Sequence, residues 1–164
     1  ISIGRLDFNS CGLLVLTTSG ELANRLMHPR FEIEREYAVR VMGQLQPQHL
    51  RRLTQGIELE DGVARCVSVE LRGGEGANQW CHVVLTEGRN RIVRRLFEKL
   101  GLTVSRLMRV RYGLIELPPR VKRGQYHEFS ADETRRLLDW LDAAPQPPSS
   151  PPPRQHRPGH GAKA

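Results

Sequence analysis

The stretch GRLDFNSCGLLVLTT, residues 4–18, is the most informative part of the chain for predicting its fold. It places one carboxylate, Asp7, after a short apolar start and before a polar turn. The apolar run 12–17 that follows predicts a buried strand. An acid at such a junction serves either as an Asx turn or, beside a cleft, as a chemical group.

Two helices are predicted in the first third of the chain. Ser19 is a capping residue for a helix through about Met27, and Pro29 ends it. Pro47 suits the first turn of a second helix, which Gly56 closes.

Two more helices are predicted further along. Asn90 is the expected cap of the third, and Gly101 is the expected residue after its end. Its apolar stripe at helical spacing comprises Val93, Leu96, Phe97 and Leu100. Ser130 and Glu133 form a capping box that opens the last helix, Ala131 to about Ala143. Its expected core side comprises Leu137, Leu138 and Leu141.

Strand patterns lie between the helices. They cover residues 34–42, 57–60, 63–72, 80–86 and 104–112. The pair Asp61-Gly62 predicts a hairpin turn, and alternation along 34–42 puts Tyr37 on the face of Val39 and Val41. The sequence therefore predicts an α+β domain with an antiparallel or mixed sheet and packed helices.

Composition narrows the function classes. The 164 residues carry 25 basic and 18 acidic side chains, a net charge of +7, which favours an anionic partner such as nucleic acid. We expect residues 1–144 to form one domain and the proline-rich basic segment 145–164 to be a disordered tail. Without the three basic residues of that segment, 22 basic and 18 acidic residues remain.

The three cysteines are widely spaced, and neither they nor the six histidines show metal-ligand spacing, so no disulfide framework, metal site or cofactor is expected. There is no apolar run long enough for a membrane span and no signal peptide pattern. These features predict a cytoplasmic protein without membrane contact. Because the chain starts without Met and runs straight into a motif, we expect it to be a piece of a longer protein.

The chain contains three motifs in this order: GRLDxxxxGLLxLT at 4–17, EREYAVRV at 34–41 and EGRNRxVRRLF at 87–97. Together they resemble the bacterial ribosomal RNA pseudouridine synthases, over Gly4 to about Phe129. The Ser-Cys-Gly spelling at 10–12 favours the type B branch, which acts on large-subunit (23S) RNA. The resemblance implies an S4-type RNA-binding domain and one further strand ahead of the first motif, neither of which is in this chain.

The resemblance also implies three catalytic residues. Asp7 matches the nucleophile, whose carboxylate suits the positive charge that builds on a sugar as its C–N bond breaks. Tyr37 matches a tyrosine that stacks on the target base; without the resemblance it would be an ordinary half-buried strand residue. Arg94 matches an arginine that pairs with the nucleophile, which predicts a partly buried Asp7–Arg94 ion pair.

A larger set is expected to bind the substrate. Val93 matches an aliphatic residue of the base pocket, and Leu6 lies next to Asp7. The expected phosphate-contacting arginines are Arg5, Arg89, Arg91, Arg95, Arg106, Arg109 and Arg111. Strand alternation predicts that Arg109 and Arg111 share a face, with Arg106 opposite unless a bulge intervenes.

The expected reaction is isomerisation of uridine to pseudouridine in a stem-loop of the large-subunit RNA, by a monomer that needs no protein partner. Two other classes remain open. One is a non-catalytic RNA-binding module or an incomplete catalytic fragment, which uses the same arginines beside a dead or incomplete pocket. The other is a nucleosidase, although no second carboxylate stands out for hydrolysis.

Overall fold

The computed structural model describes residues 1–143, apart from the side chain of Glu75, so the end of the predicted domain and the predicted tail lie outside the described residues. The strands in this range are β1 (Ser2–Ile3), β2 (Cys11–Gly12), β3 (Val15–Leu16), β4 (Arg35–Met42), β5 (Ile57–Leu59), β6 (Gly62–Ala64), β7 (Ser68–Glu75), β8 (Asn78–Leu85), β9 (Thr103–Tyr112) and β10 (Ile115–Glu116). The helices are α1 (Gly20–Met27), α2 (Pro47–Gln55), α3 (Ile92–Lys99) and α4 (Ala131–Ala143), with a 3₁₀ turn at Pro29–Phe31.

A six-stranded mixed sheet organises the domain. Five strands run in the order β10-β9-β4-β8-β7, each antiparallel to its neighbour, and β2 pairs with β9 in parallel. β1 and β3 form a separate small sheet, as do β5 and β6. The predicted α+β class with a mixed sheet is confirmed.

Two apolar clusters hold the layers together. The larger one lies on one face of the sheet, where Val39 and Val83 contact the fully buried Leu96 and Phe97 of α3, along with residues of α2 and the β5–β6 hairpin. Burying one such side chain contributes about 1.5–3 kcal/mol. The smaller cluster joins α1 and α4 around Tyr112. Among residues 1–143, no helix is long and apolar enough to cross a membrane.

Local sequence signals correctly predicted the starts of two helices and one hairpin turn. The Ser19 hydroxyl accepts a hydrogen bond from the backbone N–H of Leu22 at 3.2 Å, which caps α1. The capping box of α4 is formed in both directions between Ser130 and Glu133. The Asp61-Gly62 turn joins β5 to β6 in an antiparallel pair.

The apolar run 12–17 forms two short strands instead of the single buried strand predicted. β2 joins the main sheet and β3 pairs with β1. Between them the Leu13 backbone N–H donates to the carbonyl of Arg109 at 2.7 Å, and the Leu13 carbonyl accepts from Arg109 Nε at 2.9 Å. The chain therefore changes sheets within two residues, which an apolar pattern does not reveal.

The predicted strand 63–72 was also wrong in its extent. β6 ends at Ala64 and β7 begins at Ser68, because Cys66 turns into the core and its backbone N–H donates to the Leu53 carbonyl at 2.7 Å. The glycines at 73 and 74 continue β7, and β8 begins at Asn78 instead of Trp80.

Two helix predictions need correction. Asn90 is not the cap of α3: Arg91 takes that position in the left-handed region, at φ 51°, without a side-chain cap. The Asn90 side chain instead accepts from Arg5 at 3.5 Å. On α4, Leu137 and Leu141 are buried as predicted, but Leu138 faces outward and is 40% exposed.

A bulge in β9 reverses the prediction for its arginines. Tyr37 of β4 pairs with Arg109, but Glu36 pairs with Arg111, so Val110 is an extra residue between them. Arg109 therefore lies on the face of Tyr37, whereas Arg111 lies on the face of Glu36. The expectation that Arg109 and Arg111 share a face was wrong.

Candidate active site

The three sequence motifs meet around one cleft of about 610 Å³. The first motif supplies residues 4–7 and Ser10, the second supplies Arg35 and Tyr37, and the third supplies residues 87–93. The wall is completed by Met27, Pro29, Leu107, Arg109 and Tyr112. Motifs far apart in sequence thus form a single concave site, which is where binding and catalysis are expected.

Asp7 lies at the start of a tight turn at the cleft wall and is half-buried. The backbone N–H of Ser10 donates to the Asp7 carbonyl at 2.9 Å, which closes the turn. Within residues 1–143, the Asp7 carboxylate forms no ion pair or hydrogen bond with another side chain, and it therefore remains available to a ligand.

Gly12 fixes the strand that follows this turn against β9. Its φ is +105°, and a Cβ atom there would lie 2.2 Å from the Arg109 carbonyl oxygen and 2.7 Å from the Arg109 nitrogen. Only glycine permits both this conformation and this approach. The glycine of the first motif therefore sets the distance between the Asp7 turn and the sheet.

Arg94 does not contact Asp7, so the predicted ion pair was wrong. Its Nη2 atom donates to the carbonyl oxygen of Asn9 at 2.6 Å, and Nη1 donates to the Val104 carbonyl at 3.4 Å. Arg94 is also absent from the cleft wall, whereas Arg91 and Val93 of the same motif are present. Its guanidinium therefore ties the turn that carries Asp7 to α3 and β9.

Tyr37 projects from β4 into the cleft and is half-buried. The predicted alternation is confirmed, because Val39 and Val41 are fully buried on the same face. The ring is thus supported by the core below and open to the cleft above.

The sequence analysis missed the floor of the cleft. Arg35 and Arg109 are 7% and 4% exposed, and their guanidinium carbons lie 4.8 and 5.3 Å from the centre of the Tyr112 ring. Arg35 donates to the Tyr112 hydroxyl at 2.9 Å, and that hydroxyl donates to the Leu26 carbonyl at 2.8 Å. Burial raises the pKa of Tyr112, against the opposing effect of the two positive charges.

This floor places two positive charges in the cleft, and no acid among the described residues forms an ion pair with either of them. Within the described part of the chain neither Arg35 nor Arg109 forms an ion pair, and Arg109 Nη2 is buried without a hydrogen-bond acceptor. Arg109 is thus less accessible than the rim arginines, and the phosphate-contacting role expected for it stays a prediction. The strand period could have revealed Arg35, which stands two residues before Tyr37.

More arginines lie along the rim of the cleft and beside it, and acids hold several of them: Arg5, Arg89 and Arg91 line the cleft, whereas Arg95 adjoins it through its shared partner Asp61. Asp61 accepts from Arg95 at 2.8 Å and from Arg89 at 3.1 Å. The hydrogen bond from Arg95 is the main cause that lowers the pKa of Asp61. Arg5 and Arg91 are exposed and form no ion pair within residues 1–143. These two are the rim arginines best placed to contact a phosphate.

Arg106 and Arg111 lie away from the cleft, and neither lines it. Arg106 pairs in register with Arg40 on the opposite sheet face. Arg111 is 3.5 Å from both Glu34 and Glu36.

A second acid, Glu87, also lines the cleft, although no second carboxylate stood out in the sequence. Its carboxylate accepts from Arg89 Nη2 at 2.7 Å, so it is paired where Asp7 is not. The described residues contain no group of three or more His, Cys, Asp or Glu that could hold a metal ion. The cleft therefore offers the unpaired carboxylate of Asp7, the half-buried ring of Tyr37 and a floor of two arginines around the buried Tyr112.

Comparison with protein families gives one match, to RNA pseudouridylate synthase over residues 1–99. The chain is 56% identical over 146 residues to the ribosomal large subunit pseudouridine synthase B of Escherichia coli (strain K12). It is 53% identical over 139 residues to that of Haemophilus influenzae. These alignments cover 89% and 85% of this chain, but only 50% and 39% of the relatives. The chain thus spans about half the length of the curated relatives or less, and it is similar to the type B branch that the Ser10–Gly12 spelling favoured.

Solved structures show the same fold. A crystal structure of a pseudouridylate synthase superposes with a TM-score of 0.72 at 26% identity, covering 85% of this chain and 58% of that one. A chain of an H/ACA RNP bound to a substrate RNA containing 2′-deoxyuridine superposes with a TM-score of 0.57 at 19% identity, covering 70% and 39%. The second likeness concerns the fold alone.

Proposed function

Since this chain belongs to the RNA pseudouridylate synthase family, we propose that it isomerises uridine to pseudouridine in large-subunit (23S) ribosomal RNA. The observation that carries the proposal is the cleft itself, which both the unpaired carboxylate of Asp7 and the ring of Tyr37 line. A base drawn into this cleft meets both groups at once.

Asp7 is the proposed nucleophile. Its carboxylate attacks or stabilises the sugar at C1′ while the bond from C1′ to N1 of uracil breaks. The released base turns within the cleft and forms a new bond from C5 to C1′, and any bond between the Asp7 carboxylate and C1′ breaks in the same step. The proton leaves C5 and N1 gains one, so the product has the mass of the substrate.

Tyr37 is proposed to stack on the uracil and to assist proton removal from C5. Arg94 is a positioning residue in this scheme, because it holds the Asp7 turn through Asn9. Val93 and Leu6, which both line the cleft, supply apolar contact to the base.

Binding of the RNA backbone is assigned to the rim. Arg5 and Arg91 are exposed, and Arg89 and Arg95 can exchange an acidic partner for a phosphate. Such contacts release counterions, so affinity should fall steeply with added salt. The expected target is a uridine in a stem-loop that leaves its stack before reaction.

The choice of one uridine among many is proposed to come from RNA shape, read by these contacts and by an S4-type domain in the longer protein. A single base pocket offers little discrimination, because each uridine presents the same edge. The test compares the longer protein with residues 1–164 on 23S RNA and on short uridine-containing oligomers. Full selectivity by the short chain would contradict this division.

We also propose that the protein works as a cytoplasmic monomer, without a cofactor or an obligatory protein partner. The proposed isomerisation moves a base within one nucleotide, without a change of oxidation state or a group from outside, so it requires no cofactor chemistry. Activity of the purified protein at the mass of a single chain, measured by light scattering, would support the proposal. A requirement for an added factor would contradict it.

The deciding experiment incubates the longer protein with unmodified 23S RNA and maps pseudouridine by carbodiimide treatment and primer extension. Isomerisation predicts a new stop at one uridine and no free uracil. Release of free uracil would indicate a nucleosidase instead. Binding with neither product would indicate an RNA-binding module.

A further inference from the structure

Phe8 follows the proposed nucleophile directly and is the most exposed large apolar side chain in the described range, at 101% of its reference area. A single exposed apolar residue is common on protein surfaces and by itself carries no meaning. Two further features distinguish Phe8, namely how its backbone is held and where it stands.

The backbone of Phe8 is fixed from three sides. Phe8 and Asn9 are the central residues of the turn that the Ser10 N–H closes on the Asp7 carbonyl at 2.9 Å. Arg94 holds the Asn9 carbonyl at 2.6 Å, and Cys11 enters the sheet beside Met108. The ring thus projects into solvent from a rigid base.

The position of the ring follows from its neighbours. Leu6 and Asp7 on one side of the turn and Ser10 on the other all line the cleft. Phe8 does not line the cleft itself but stands beside it, next in sequence to the proposed nucleophile. Its exposed ring is therefore within one residue of the group that acts on the sugar of the target uridine.

We propose that Phe8 is a base-opening wedge, which fills the gap in the RNA stack that the target uridine leaves. The inference rests on the proposed function and deepens it. Extruding a base from a stack costs a few kcal/mol, and an apolar or aromatic side chain inserted at the vacated step recovers part of this cost. A phenyl ring stacks on any neighbouring base, because each base has a π-face and Phe has no hydrogen-bonding group.

The substrate pair for the test is built on the uridine mapped in the preceding experiment. One RNA is a hairpin in which that uridine is stacked, with 2-aminopurine as its 3′ neighbour. The other is a single-stranded oligomer of the same local sequence, in which little stacking must be broken. 2-Aminopurine fluorescence reports the loss of stacking without any chemistry.

Three variants test the ring: Phe8→Ala, Phe8→Leu and Phe8→Trp. The control is Tyr126→Ala, since Tyr126 is also an exposed aromatic, at 88%, but lines a separate concavity of about 440 Å³ that shares no residue with the cleft. Thermal unfolding of each variant checks that the fold is retained, which the exposure of Phe8 predicts.

The expected result is a loss in kcat/KM of about tenfold for Phe8→Ala on the hairpin, the scale of one base–aromatic stacking contact. On the single-stranded oligomer the same variant should remain within about twofold of the parent protein, since the wedge has nothing to open. Phe8→Trp should retain activity on both RNAs, and Phe8→Leu should be intermediate on the hairpin. In an Asp7→Asn background, Phe8→Ala should also reduce the rise in 2-aminopurine fluorescence.

Equal losses on both RNAs would overturn the wedge, because Phe8 would then act in the site or in the fold. Unchanged activity on both would overturn it as well. If the parent protein forms no pseudouridine, the proposed function fails separately. The hairpin is then built on a stem-loop uridine of any 23S RNA segment that the protein binds, and the fluorescence comparison in the Asp7→Asn background still decides whether Phe8 opens the stack.

Discussion

The guanidinium group of Arg94 donates to the backbone carbonyl oxygen of Asn9, with Nη2 2.6 Å from that oxygen. Asn9 stands two residues after Asp7 in the same turn, so Arg94 controls the position of the candidate nucleophile through the backbone. The Nη1 atom of Arg94 donates to the backbone carbonyl of Val104 in β9. One side chain of α3 thus connects the first motif to the main sheet.

This contact predicts how substitutions of Arg94 and Asp7 change the free energy of unfolding, singly and in combination. We expect Arg94→Met to lower the free energy of unfolding by about 1–2 kcal/mol, because two carbonyl groups lose a charged donor. Asp7→Asn should have little effect, and the double variant should show a coupling energy within about 0.5 kcal/mol of zero. Urea unfolding of the four proteins measures this cycle.

A direct buried ion pair gives a different result. Breaking such a pair typically costs about 3–5 kcal/mol, and the two substitutions would then be far from additive. A coupling energy of several kcal/mol would therefore contradict the arrangement described here.

Gly12 provides a second test, of the contact between β2 and β9. Gly12→Ala should lower the free energy of unfolding by about 2 kcal/mol or more, since its Cβ would overlap the Arg109 backbone and its φ of +105° is strained for alanine. The matched control is Gly20→Ala at the start of α1, where the nearest atom is 4.0 Å away. Thermal unfolding should show a clear loss for the first variant and no loss for the second, and equal effects would refute the close approach.

The sequence predicted those features that depend on neighbouring residues. The Ser19 cap and the Ser130–Glu133 capping box involve atoms three residues apart, and both were found. The α+β class was also predicted, because each helix and strand shows the spacing of apolar residues that is typical of its type.

Features that depend on distant partners could not be predicted in detail. The run 12–17 splits because Gly12 pairs with Arg109 of β9 while Val15 pairs with Ile3. The bulge at Val110 separates Arg109 from Arg111, and nothing in the spelling of β9 marks it. For the same reason the order of the motifs predicted that Arg94 lies near the Asp7 turn. It could not show whether Arg94 binds the Asp7 carboxylate or the Asn9 carbonyl.

The pair of Glu36 and His82 predicts a dependence of stability on pH. Burial raises the pKa of Glu36, but the His82 hydrogen bond at 2.9 Å and the Arg111 charge outweigh it, so the net pKa lies below the ordinary 4.5. The folded state therefore gains stability above the pKa of the unfolded chain and loses it as pH falls through the lowered folded value. Glu36→Gln should cost about 1 kcal/mol at pH 7, and the difference should shrink as pH falls below about 5.

Glu58→Gln is the control for this pH series. Glu58 is exposed on β5 and forms no ion pair within the described residues. Its substitution should change the free energy of unfolding by less than about 0.5 kcal/mol throughout. A constant difference between the parent protein and Glu36→Gln from pH 7 to pH 3 would contradict the linkage.

The reactivity of the cysteine thiols tests the packing of the larger apolar cluster, which contains Cys66 and Cys81. Burial raises the pKa of Cys66 and of Cys81 to about 12, whereas Cys11 is partly exposed. A disulfide reagent at pH 8 should therefore modify one thiol in the native protein and all three after unfolding. Cys11→Ser should abolish the native reaction, and rapid modification of that variant would show that the core is open.

We propose that Asp7 performs the chemistry while the arginine rim binds the RNA. The most direct test compares the parent protein with Asp7→Asn, which keeps the size of the side chain and removes its charge. Pseudouridine formation in 23S RNA and RNA affinity are measured on the same preparations. We expect turnover to fall below detection while affinity stays within about threefold, a change of less than 1 kcal/mol. Substantial pseudouridine formation by Asp7→Asn would contradict the account.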